Sequence, residues 1–174
     1  MDFIRVDDNI TLSPLVENDF PLFVERINDI KVYENTKNIP HPYSLKDAQD
    51  ALDDFSIRSD YFGKITSWCI RKNGEVVGGI GFHAVKPSHK TEIGYWLASD
   101  FWNQGIMTKV IAKICKIAFQ DYHFDRLEAV VVVGNIASAT VLEKNGFILE
   151  APLLKNFEKK EGKLRDCKWY ALTK

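Results

Sequence analysis

Thr91–Val110 reads Thr-Glu-Ile-Gly-Tyr-Trp-Leu-Ala-Ser-Asp-Phe-Trp-Asn-Gln-Gly-Ile-Met-Thr-Lys-Val. Its first part suits a half-buried strand, with Ile93, Tyr95, Trp96 and Leu97 on a pleated surface. A turn follows over Ala98–Asn103. From about Gln104 the apolar spacing becomes helical, with Ile106, Val110, Ile114, Ile117 and Ala118 on one stripe. A strand, a short glycine turn and a helix present free backbone N–H groups, because the first helical turn leaves its donors without intrahelical partners. The helix dipole adds positive potential there, which suits an anion such as a phosphate. Gly105 permits close approach to a bulky group. Thr108 adds a hydroxyl and Lys109 a charge. Taken alone, the stretch also fits a plain strand-to-helix turn.

Downstream, Leu127–Phe147 reads Leu-Glu-Ala-Val-Val-Val-Val-Gly-Asn-Ile-Ala-Ser-Ala-Thr-Val-Leu-Glu-Lys-Asn-Gly-Phe. This is a buried strand, a Gly-Asn turn, a short helix and a Gly-Phe exit. Three blocks stand in order: Glu-Ile-Gly-Tyr-Trp-Leu, then Trp-Asn-Gln-Gly-Ile-Met-Thr, then Asn-Ile-Ala-Ser-Ala-Thr-Val-Leu-Glu-Lys-Asn-Gly-Phe. Together they resemble the GNAT superfamily of acetyl-CoA-dependent N-acetyltransferases, in its RimJ/RimL-like branch, whose named members acetylate ribosomal-protein amino termini.

The resemblance implies an α/β GNAT fold, with a mixed, mostly antiparallel central sheet flanked by helices. It implies acetyl-CoA as cosubstrate. Backbone of Gln104, Gly105, Ile106, Met107, Thr108 and Lys109 would cradle the pyrophosphate, and backbone of Trp96 and Leu97 would pair with the pantetheine arm. Asn135 would contact the same arm. The family's phosphate-loop pattern, Q/R-x-x-G-x-G/A, falls on Trp102, Asn103, Gln104, Gly105, Ile106 and Met107. The central glycine is kept, while Trp102 and Met107 depart from the pattern. Glu92, thirteen positions before Gly105, is the candidate general base, or else a carboxylate that only positions the amine or pairs with a lysine. Many family members carry a tyrosine acid where this chain has Leu142. Ser138 is the substitute catalytic candidate. Asn135 and Ser138 equally suit capping of the short helix.

At 174 residues the chain is expected to form one domain spanning 1–174, burying about 70% of its unfolded surface. A net charge of −1 argues against nucleic-acid and anionic-membrane partners. No apolar run approaches a membrane span, and the acidic first residues do not read as a signal peptide. Cys69, Cys115 and Cys167 lie far apart without C-x-x-C spacing, which favours reduced thiols and a cytoplasmic location. The four histidines, at 41, 83, 89 and 123, show no ligand spacing, so no metal is expected.

Along the chain, a first strand is expected at Ile10–Val16. A helix should follow to about Asn28, with Asn18 as its cap. Asp29–Tyr43, with Pro40 and Pro42, reads as a long functional loop. A second helix over about Ser44–Ser59 opens on a Ser44/Asp47 capping box. Its Asp47, Asp50, Asp53 and Asp54 form a solvated acidic face or a rim for a cationic substrate. Strands are expected at Thr66–Arg71 and Val76–Val85 around an Asn73-Gly74 turn, with another turn at Pro87. Gly78, Gly79 and Gly81 mark either close approach of another group or a bulge. Helices are expected at about Gln104–Tyr122 and Ile136–Asn145, and strands at Arg126–Val133, Phe147–Phe157 and Leu164–Leu172. Glu158–Lys163 is expected as a charged hairpin loop. His41 reads as at most a lid residue near the acceptor groove, and Tyr33, Tyr43 and Phe82 read as groove aromatics or simply as core.

The acceptor is expected to be a primary amine. A protein or peptide N-terminus leads, and a small amine (polyamine, amino acid or aminoglycoside) is the alternative. A non-catalytic CoA-binding module remains open, as does monomer or homodimer.

Overall fold

The computed structural model describes residues 3–83 and 88–174. Strand β1 (Ile4–Arg5) pairs with β2 (Ile10–Ser13). β2 stops at Pro14, which has no N–H for the ladder. The next turn is a 3₁₀ segment, Glu17–Asp19, so Asn18 lies inside a turn and not at a helix cap. Asp19 does the local work instead. Its carboxylate accepts from the Val16 N–H at 3.0 Å and takes two Arg71 N–H bonds at 2.8 and 2.7 Å.

Helix α1 (Phe20–Ile27) buries Phe23 and Ile27. The segment expected to be irregular holds a short helix, α2 (Ile30–Asn35), because the Asp29 side chain accepts from the Lys31 N–H at 2.8 Å. Helix α3 (Leu45–Phe62) starts on the expected Ser44/Asp47 capping box and ends at Gly63, φ +63°. β3 (Ser67–Lys72) and β4 (Glu75–Phe82) form the Asn-Gly hairpin, with φ +52° at Asn73 and +91° at Gly74. Residues 84–87, to which Val85 and Pro87 belong, lie outside the described residues.

The glycines of β4 make room for their neighbours. A Cβ at Gly78 would stand 2.4 Å from the Trp96 carbonyl oxygen, and one at Gly79 would stand 2.7 Å from Trp96 Nε1. A bulge is also present, because the β3–β4 register shifts between Ile70 and Arg71.

β5 (Lys90–Leu97) leads through a 3₁₀ turn into α4 (Ile106–Gln120), whose buried stripe includes Ile106, Val110, Ile114, Ile117 and Ala118 as the spacing predicts. β6 (Arg126–Val132), α5 (Ile136–Lys144), β7 (Ile148–Lys160) and β8 (Lys163–Thr173) complete the chain. The expected Glu158–Lys163 loop shrinks to a two-residue turn at Glu161 and Gly162, both at positive φ. Its charged residues are the ends of long strands.

Among the described residues, eight strands form one sheet in the order β1-β2-β3-β4-β5-β6-β8-β7. All neighbours are antiparallel except β5 and β6, which run parallel. One apolar cluster packs α4 on the sheet through Val110, Ile111 and Ile114 against Phe82, Ile93 and Leu127. A second places Phe23, Ile27, Val32 and Ala48 of α1–α3 against Cys69 and Val76. Phe82 is therefore a core residue and not a groove aromatic. Among the described residues no helix is long and apolar enough to cross a membrane.

Candidate active site

The parallel pair is short. β5 matches β6 only at Lys90–Glu92, against Arg126–Glu128, while it stays paired with β4 as far as Leu97. Beyond Glu92 the two strands part, and a cavity of about 1180 Å³ opens between them. The sequence-derived site residues border this cavity, except Lys109.

The register decides which backbone groups face the opening. The His83 N–H donates to the Glu92 carbonyl, and the Ala98 N–H to the Val77 carbonyl. The even-numbered residues of β5 therefore spend their backbone groups on β4, and period-two alternation turns Tyr95 and Leu97 toward the gap. Trp96 borders the cavity, but its carbonyl points at Gly78. Its indole lies over Gly79 and packs edge-on against Phe23, ring centroids 5.3 Å apart. The Leu97 carbonyl accepts from Trp102 Nε1 at 2.7 Å, which ties the strand end to the following turn.

At one end of the gap stands the start of α4. Gly105 has φ +71°, and a Cβ there would meet nothing within 4 Å. Its left-handed conformation calls for glycine. The first intrahelical bond runs from the Lys109 N–H to the Gly105 carbonyl at 3.2 Å. The N–H groups of Ile106, Met107 and Thr108 precede it and face out as donors. Lys72 supplies a nearby cation and donates to Gln104 Oε1 at 2.7 Å. Lys109 turns away and pairs with Asp7 at 2.7 Å.

In the middle, Ser138 Oγ lies 2.7 Å from the Tyr95 hydroxyl. Burial pushes the Tyr95 phenol above its ordinary value, so it stays protonated at neutral pH. The Asn135 side chain caps α5 by accepting from the Ser138 N–H at 3.0 Å. Leu142 is fully buried in the core.

At the other end, Glu92 and Glu158 share one ammonium. Lys37 Nζ is 2.9 Å from Glu158 Oε1 and 3.4 Å from Glu92 Oε1. Burial pushes the Glu92 carboxyl above its ordinary 4.5, and Lys37 opposes this from the longer distance. Burial also pulls the Lys37 ammonium down, but two carboxylates outweigh it and the net shift is up. One cation divided between two carboxylates compensates Glu92 only in part. The His83 ring sits where a Gly94 side chain would stand, its Nε2 2.2 Å from that Cβ position. The surrounding protein holds its imidazole below the ordinary value, with Arg58 and Lys37 adding to the effect.

On the α3 wall, Asp47, Asp50 and Asp54 border the cavity. Each has a partner: Ser44 for Asp47, Lys46 for Asp50 and Arg58 for Asp54. Asp53 accepts instead from Gln49. Tyr43 lines the cavity, whereas the Tyr33 hydroxyl donates to Glu161 and its ring neighbours His41. Among the described residues, no three metal-ligating side chains are grouped to hold an ion.

Sequence reasoning missed Lys37, Glu158, Tyr95 and His83. Lys37 and Glu158 are remote from Glu92 in the chain, and Tyr95 reads as an ordinary strand aromatic.

The gap offers an open strand edge leading to free helix N–H donors, which suits a long amide-bearing arm that ends in phosphates. The acetyltransferase (GNAT) domain family matches residues 9–148. The ribosomal-protein-serine acetyltransferase of Escherichia coli (strain K12) is 27% identical over 152 residues, covering 86% of this chain and 85% of that protein. An uncharacterized N-acetyltransferase of Bacillus subtilis (strain 168), YoaA, is 34% identical over 105 residues, so the match spans 60% of this chain and 59% of YoaA. Among solved structures, RimL, a ribosomal L7/L12 alpha-N-protein acetyltransferase in complex with coenzyme A, superposes with a TM-score of 0.87 at 22% identity, covering 99% of this chain and 98% of that one. At that identity the likeness speaks for the fold. With the family match spanning residues 9–148, and with them the residues that line the cavity, the chain belongs to the GNAT acetyltransferases.

Proposed function

We propose that this protein, as a single cytoplasmic domain, transfers the acetyl group of acetyl-CoA to the α-amine of a protein or peptide N-terminus. The observation that carries the reading is the splayed β5–β6 gap, with free helix N–H donors at one end and the Glu92–Glu158 carboxylates at the other. The ribosomal-protein-serine acetyltransferase supports the choice of acceptor.

Bound acetyl-CoA would supply an activated acetyl thioester. Gly105 and the N–H groups of Ile106, Met107 and Thr108 would hold its pyrophosphate, with the Gln104 and Lys72 pair at the rim. The backbone groups of Tyr95 and the N–H of Leu97 would pair with the pantetheine arm, the Leu97 carbonyl being held by Trp102, while Trp96 shapes the wall and Asn135 borders the arm. Glu92, raised by burial, takes the proton that the acceptor ammonium must lose before nitrogen can attack. The Ser138–Tyr95 hydroxyl pair donates to the sulfur as the thioester breaks. Tyr95 thus provides, from β5, the phenol that Leu142 does not.

A polyamine acceptor is the second reading, suggested by the acids on α3. Their local partners reduce its appeal, because a polycation would have to displace each one. The test is thiol release from acetyl-CoA with free and blocked peptide N-termini, polyamines, amino acids and aminoglycosides. Release only with free α-amines supports the reading, and release only with polyamines replaces it.

A further inference from the structure

Lys37 is the one cation joined to both Glu92 and Glu158 among the described ion pairs. Its ammonium makes the contacts that an acceptor ammonium would need, with one carboxylate at hydrogen-bond distance and the candidate base beside it. Its position is secured from several sides. Lys160 Nζ donates to the carbonyls of Tyr33 at 2.5 Å and Thr36 at 2.9 Å, and Arg165 donates to those of Glu34 at 3.0 Å and Thr36 at 2.9 Å. The β7–β8 hairpin thereby fixes the segment that ends in Lys37. The same segment touches the donor side, where Asn135 Nδ2 donates to the Asn35 carbonyl at 3.5 Å. Lys37 and the Tyr95–Ser138 pair border one continuous cavity.

We propose that Lys37 is a self-acetylation site: the ε-amine occupies the acceptor position and takes the acetyl group from acetyl-CoA bound to the same chain when no external amine is present. The inference rests on the acetyltransferase reading above. Lys37 gives one ammonium proton to Glu92, and its lone pair forms a bond to the acetyl carbonyl carbon. The carbon–sulfur bond breaks with its electron pair going to sulfur, and the surplus proton on nitrogen passes to that sulfur. The products are an ε-acetyl-lysine and the free thiol of CoA. The step also removes the ammonium shared by Glu92 and Glu158, and once Glu92 has released its proton to water both carboxylates face the next ammonium.

The experiment starts from full-length protein shown by peptide mass mapping to carry unmodified Lys37. It is incubated with acetyl-CoA and no acceptor amine, at several protein concentrations. The expected result is one added acetyl group on Lys37, formed at least tenfold faster than on the exposed Lys31 and Lys155. The rate should be independent of protein concentration, and Glu92→Gln should slow it by a similar factor. Labelling of Lys37 no faster than Lys155, or a rate that grows with protein concentration, overturns the proposal. A parallel arm with a peptide amine separates the two claims. Peptide turnover with Lys37 unlabelled rejects self-acetylation and leaves the enzyme reading standing. Neither peptide turnover nor labelling rejects both.

Discussion

Glu92 works as a base only if its carboxylate is ionised while the amine gives up its proton, and its surroundings set the pH at which this fails. Burial raises its pKa and Lys37 lowers it, with burial the larger effect. Activity should therefore fall with acidity around a midpoint above the ordinary glutamate value. Glu92→Gln should reduce kcat/KM by about 10²–10⁴-fold, with the deficit greatest above that midpoint and acetyl-CoA affinity retained. Lys37→Gln removes the compensating charge, so the acid limb of the pH–rate profile should move to higher pH. An unmoved limb would mean that another group titrates. At Gly105, φ +71° favours glycine, and no described protein atom lies within 4 Å of a Cβ placed there. Gly105→Val should cost about 1–2 kcal/mol of stability through the left-handed backbone. Its reoriented N–H groups should lose most of the CoA affinity by calorimetry while the chain stays folded.

At the scale of elements, the β7–β8 hairpin holds the end of α2 and the residues that lead to Lys37. Lys160 is buried against two carbonyls and the Tyr33 ring, its Nζ 3.9 Å from the ring centroid. Burial, with Arg165 beside it, brings its pKa down to about 8. The unfolded chain keeps this proton up to the ordinary lysine value of 10.5, so between pH 8 and 10.5 it binds more protons than the folded chain. This lysine's contribution to stability should thus rise with pH across that window. The difference in unfolding free energy between the wild type and Lys160→Met, measured by denaturant titration at pH 8 and pH 10, should move in that direction. Elements with local signals were legible in advance. The Asn73-Gly74 hairpin, the Ser44/Asp47 capping box and the buried stripe of α4 each follow from residues a few positions apart. α2 escaped notice because six residues give too few turns for a period to register. The β7–β8 turn escaped because alternating charges on two long strand ends resemble a solvated loop.

For the whole molecule, the function turns on one departure from regular sheet pairing. β5 and β6 start in register and then part, and α4 and α5 follow these two strands, so a single gap gathers residues from both. The residues read from the sequence as the donor side, Lys109 apart, meet at one cavity because they lie in two short blocks, 92–109 and 135–138. The acceptor side was not legible, because Lys37 and Glu158 reach Glu92 only after the chain has folded. Tyr95 likewise became a partner of Ser138 only once β5 and α5 were set side by side. The central claim is that this gap passes an acetyl group from acetyl-CoA to a peptide α-amine. Its most direct test is mass analysis of peptides incubated with the protein and acetyl-CoA, one series with free N-termini and one with the N-terminus blocked and an internal lysine retained. The account predicts one acetyl group on the free α-amine, matched by equimolar thiol release, and none on the blocked series. Bound CoA without transfer to any free α-amine would contradict it.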